Sequence, residues 1–75
     1  MENHKYAVII EKGRRGYGAY VPDLPVCAAF AKTEVAVRKR IQSAIAFHIR
    51  CLREAGDRVP RPRSVVVYME VPLAS

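Results

Sequence analysis

The carboxylates are the first place to look for chemistry. Glu2, Glu11, Asp23, Glu34, Glu54, Asp57 and Glu70 are scattered singly along 75 residues. General acid–base work, or a catalytic divalent metal, needs such groups brought together. This spacing offers no pair. His4, His48, Cys27 and Cys51 show neither CxxC nor HxxxH spacing, so no zinc set is expected. There is no Ser/His/Asp pattern, no P-loop and no dinucleotide fingerprint. His48 falls on an apolar helical stripe, the place of a core or interface histidine rather than a general base. The chain is therefore expected to be no enzyme and to carry no cofactor.

The basic residues are better grouped. Lysine plus arginine is 13 against 7 aspartate plus glutamate, a formal charge of +6. Arg14 and Arg15 sit together in a glycine-rich stretch, Arg38, Lys39 and Arg40 on a helical stretch, and Arg58, Arg61 and Arg63 among prolines. Such groups can contact phosphates, with a salt-dependent affinity. The alternative readings are a nucleic-acid partner, met by Arg14, Arg15, Arg38, Lys39, Arg40, Arg61 and Arg63, and plain solvated charge around a small sheet. Gly13-Arg14-Arg15-Gly16 matches the GxxG loop of a KH module, but that loop joins helices and this one joins strands.

Residues 6–10, Tyr-Ala-Val-Ile-Ile, are short and rich in strand formers. Gly13, Gly16 and Gly18 mark a hairpin connection into a second strand at 19–21. Pro22 and Pro25 end that strand, because proline cannot donate to a ladder. Residues 26–31 read as a third strand. Thr33 is placed to cap a helix, with Glu34 in the first turn. Val37, Ile41, Ala44, Ile45, His48 and Leu52 repeat at three- and four-residue steps and define its apolar face. Gly56 terminates it. Residues 57–63, with Pro60 and Pro62, form a connector to a last strand at 65–71, ended by Pro72.

The fold class expected is α+β. One small domain over 1–75 holds a three-stranded antiparallel meander, one helix and a fourth strand parallel to the first, since the helix serves as a crossover. One helix covers one sheet face, yet the first and last strands are apolar on both. An uncovered apolar face implies a homo-oligomer, a dimer or tetramer. No apolar run approaches the roughly 20 residues that span a bilayer, and residues 1–5 show no secretory signal. A cytoplasmic protein with reduced cysteines and no membrane partner is expected.

Tyr6-Ala7-Val8-Ile9-Ile10-Glu11-Lys12 followed by Gly16-Tyr17-Gly18-Ala19-Tyr20-Val21-Pro22-Asp23-Leu24-Pro25 resembles the N-terminal signature of HicB-type antitoxins. Thr33-Glu34, Ala44-Ile45, His48, Leu52-Arg53-Glu54, Pro60 and Pro62 continue the likeness along nearly the whole chain. The resemblance implies a reduced RNase H-like fold and a binding function in a type II toxin–antitoxin system. The implied partner is a small ribonuclease toxin of the HicA type, neutralised by contact rather than by catalysis. Partner contacts are then expected at Arg14, Arg15, Tyr17, Tyr20, Pro22 and Leu24. Nuclease activity is not expected, because the scattered acids assemble no metal-binding cluster. Many such antitoxins add a C-terminal DNA-binding module. This sequence stops at Ser75, after its last expected strand, so that module is expected to be missing.

Three features depart from the pattern. Val26 stands where the family usually has glycine. Arg14 and Arg15 occupy a tip that is commonly acidic or glycine-rich. Arg38, Lys39, Arg40 and Arg50 replace a run that is commonly glutamate-rich. An acidic antitoxin complements a basic toxin, so this sign reversal points to an acidic partner, to contact through the apolar sheet, or to a different role for the chain.

Overall fold

Three short strands and one long helix make up the regular structure: β1 (Ile9–Lys12), β2 (Tyr17–Tyr20), β3 (Ala28–Ala31) and α1 (Glu34–Glu54). The computed structural model describes residues 4–74. The reading of residues 1–3 and the stop at Ser75 lie outside them. The strands form an antiparallel sheet in the order β1-β2-β3. The meander and helix agree with the expected α+β class. The first strand begins at Ile9 rather than Tyr6, and the second already at Tyr17.

The turn explains its glycines. The Gly13 amide donates to the Gly16 carbonyl at 2.7 Å and closes the hairpin. At Gly16 a Cβ would lie 2.5 Å from the Ala31 carbonyl oxygen and 2.9 Å from the Phe30 ring, so β3 passes where a side chain would have to be.

The pairing register sorts the side chains. Ile10, Ala19 and Ala29 are in one row, and Ile9, Tyr20 and Ala28 in the next. Successive residues of a strand point to opposite faces. One face presents Ile10, Ala19, Ala29 and Ala31 to α1, and these small alanines let the helix approach β2 and β3. Val37 and Ile41, one turn apart on α1, are buried there. Leu24, Val21 and Cys27 complete the core.

Leu24 reaches that core through a tight loop. The Leu24 amide donates to the Val21 carbonyl, the Cys27 amide to the Leu24 carbonyl, and the Val21 amide to the Cys27 carbonyl. Closing this loop puts Val26 at φ 58°, a left-handed conformation that is costly for a β-branched residue. It is the position at which the resemblance calls for glycine.

The helix ends follow the sequence reading. Thr33 Oγ1 accepts from the Ala36 amide at 3.1 Å. At the other end the Gly56 amide donates to the Arg53 carbonyl and the Asp57 amide to the Leu52 carbonyl. Gly56 takes φ 77°, so the helix closes in a Schellman motif.

The expected fourth strand is not formed. Residues 65–74 have no secondary structure, and every one of them is exposed. A domain of this length has a radius of gyration near 11 Å by the usual scaling; here it is 14.8 Å, with extents of 54 × 27 × 20 Å. The C-terminal stretch projects from the body as an arm. Strand propensity alone holds no strand in place, and within one chain this arm meets no edge. No helix among the described residues is long and apolar enough to cross a membrane.

Candidate partner-binding surface

The sheet face away from α1 is open. Tyr20 and Phe30 are exposed on it and Ile9 is half-buried. Gly18 and Ala28, beside them in the register, leave the two rings standing clear of the surface. Glu11 lies at its margin, and the exposed Arg14-Arg15 tip continues from the same hairpin. The result is a small apolar and aromatic patch with a basic end. Tyrosine and arginine are the residue types that anchor protein interfaces.

The six residues expected to meet a partner do not form one surface. Arg14 and Arg15 are at the start of β2, and Pro22 and Leu24 lie past its other end. Tyr20 is on the open face. Tyr17 has the opposite parity, is half-buried and packs against the core. Leu24 is fully buried at 0% exposure, which makes it a core residue rather than a contact residue. The resemblance places it among the partner contacts; in the structure the hydrogen bonds among Val21, Leu24 and Cys27 fold its loop inward. Ile9 and Phe30 were missed, although two-residue alternation from Tyr20 through the hairpin register would have found them.

The basic residues occupy three separate places. On α1, Arg38 pairs with Glu34 at 3.3 Å, while the Arg40 Nη1 donates to the Phe30 carbonyl at 2.9 Å. Lys39 is exposed between them. Arg50 stacks over the Phe47 ring at 5.5 Å. Arg58, Arg61 and Arg63 line a cleft of about 960 Å³ together with His4, Pro22 and Asp23. The hairpin tip, the helix and the cleft do not merge into a single basic stripe.

The cleft is held in shape by polar contacts. The Tyr6 hydroxyl donates to the Pro60 carbonyl at 2.6 Å. Asp23 Oδ2 accepts from the Arg63 and Ser64 amides, each at 2.8 Å, and Oδ1 accepts from the Ser64 hydroxyl at 2.9 Å. The Ser64 and Arg63 amides hold the Asp23 carboxyl below its ordinary pKa. Burial raises the pKa of the Tyr6 hydroxyl and of the Cys27 thiol. Cys27 is buried and Cys51 exposed, both as free thiols. Among the described residues no group of three or more His, Cys, Asp or Glu side chains could hold a metal ion.

An antiparallel meander backed by one helix, with an aromatic sheet face left open, defines a small α+β domain. The chain belongs to the HicB-like antitoxins of bacterial toxin–antitoxin systems, whose family model matches residues 6–73. It is 31% identical over 67 residues to an uncharacterized 14.9 kDa protein in the rep-hol intergenic region of Haemophilus phage HP1 (strain HP1c1). That match covers 89% of this chain and 50% of the phage protein, so the chain spans about half that relative's length. It also resembles a chain of the solved HicA3 and HicB3 toxin–antitoxin complex, with a TM-score of 0.68 and 30% identity. There the match covers 79% of this chain and 70% of the other.

Proposed function

We propose that this protein binds and neutralises a small HicA-type ribonuclease toxin in the cytoplasm, as the antitoxin of a type II pair, and acts without catalysis. The observation that carries this reading is the family match over 6–73, joined by the likeness to a chain of a toxin–antitoxin complex. The open sheet face would supply the surface, with Tyr20 and Phe30 as anchors and Ile9 beside Tyr20 in the register. Arg14 and Arg15 extend it toward acidic groups on the toxin. Contact through apolar surface suits a chain of +6, because two basic bodies repel until charges are matched or avoided.

The test is a search for a small HicA-type toxin gene beside this one, followed by co-expression of the two. Restored growth and a co-purified complex are the expected result. Unrelieved toxicity with well-folded protein present would refute the reading.

Arg58, Arg61 and Arg63 around one cleft favour a second reading, a module that binds the phosphate backbone of RNA or DNA. A gel-shift series across salt concentration tests it. Negligible affinity at low salt would end it.

A further inference from the structure

The arm at 65–71, Val-Val-Val-Tyr-Met-Glu-Val, has the composition of a buried strand. Yet Val65 is 81% exposed, Tyr68 87% and Met69 80%. Among the described residues no backbone hydrogen bond outside helix and strands involves the arm. An apolar stretch of this length left in water marks an interaction site.

The same chain offers the missing neighbour. β1 is an edge of the sheet, with β2 on one side only. Because α1 lies over β2 and β3, it leaves an apolar groove of about 350 Å³ along β1, floored by Val8, Ile10, Ile41 and Ile45. Residues 6–12, which include β1, are as long as the arm, roughly 23 Å when extended. A strand laid there would gain ladder partners from the β1 edge and bury alternate side chains in the groove.

The anchor decides which copy supplies that strand. Asp23 grips the chain at Arg63 and Ser64, and Tyr6 grips it at Pro60. From that fixed exit the arm leads away from its own body, which is why the molecule reaches 54 Å. We infer that the arm of one copy pairs with the β1 edge of a second copy, and the second returns its arm to the first.

One arm and one vacant edge per chain satisfy each other in a closed twofold exchange. Charge agrees: the arm's one charged residue is Glu70, set against an otherwise basic body, with Arg38 at the groove rim. The exchange leaves Tyr20 and Phe30 uncovered, and it does not depend on the antitoxin reading.

The test uses the full chain. Light scattering at micromolar concentration should give a dimer. Val66→Pro and Val67→Pro remove amides of opposite parity, so at least one takes a donor from the ladder and should weaken the dimer by about 100-fold or more. The arm contributes nothing to its own core, so circular dichroism should show α1 intact in both. In a mixed dimer of labelled and unlabelled chains, intermolecular NOEs should join the Met69 and valine methyls to Val8 and Ile10. A monomer, a dimer unchanged by both prolines, or NOEs confined to one chain would overturn the inference. So would an arm that becomes ordered only when a toxin is added.

Discussion

Asp23 and Ser64 are 41 positions apart and meet at both carboxylate oxygens: the Ser64 amide at 2.8 Å and its hydroxyl at 2.9 Å. This contact joins the loop after β2 to the end of the proline connector and fixes where the arm begins. Asp23→Ala should leave α1 and the sheet in place while the Arg63 and Ser64 amides lose protection against hydrogen exchange. Unchanged protection at both amides would mean that something else anchors the connector.

The same contact titrates. The folded carboxyl lies below its ordinary 3.8, held there first by the Ser64 amide and then by that of Arg63. Its contribution is therefore full above the ordinary aspartate range and is lost as pH falls through the lowered value. In an acid titration followed by NMR, the Arg63 and Ser64 amide shifts should move together with a midpoint below 3.8. A midpoint at or above it would contradict the arrangement.

Val26 is 96% exposed, so its side chain stabilises nothing by burial. Val26→Gly relieves a left-handed valine that costs roughly 1–2 kcal/mol, while glycine loses about 0.5–1 kcal/mol more entropy on folding. The net gain should be about 1 kcal/mol in a denaturant melt, a rise of about 4–8 °C in Tm for a domain of this size.

Leu24→Ala should act in the opposite direction. Truncating a fully buried leucine costs about 2–5 kcal/mol. A single core below about 80 residues rarely supplies more than that. Far-UV circular dichroism should find the variant largely unfolded, or shifted to a much lower urea midpoint.

The open face separates Tyr20 from Tyr17. Tyr20→Ser and Phe30→Ser should each weaken toxin binding by about tenfold or more with the fold intact, the behaviour of interface anchors. Tyr17→Phe, on the helix side, should bind as the parent does. The reverse outcome in a pull-down would move the toxin to the other face.

Much of this architecture was legible from local chemistry. Thr33 and Gly56 set the helix ends because capping is a matter of a few adjacent amides and carbonyls. The spacing of Val37 and Ile41 marked the buried face, and the glycines marked the hairpin. Leu24 was misread because inward closure of its loop depends on hydrogen bonds among Val21, Leu24 and Cys27, which no residue type announces. Tyr17 and Tyr20 are grouped as contacts by the resemblance, whereas strand parity separates them. Residues 65–71 carried a strand signal that was correct about composition and silent about location, since a strand exists only where an edge receives it.

Arg40 adds a consequence of its own. Its guanidinium bonds the Phe30 carbonyl and so places a fixed cation on β3, the far edge of the sheet. Charge at an edge discourages further strands from adding there. The sheet thus has a polarity: β1 is a bare edge, and β3 is a guarded one. A protein with two receptive margins and a free apolar strand would polymerise into fibres. With one margin guarded, each chain has a single edge open to a strand, and it is the reciprocal exchange that would close the pair.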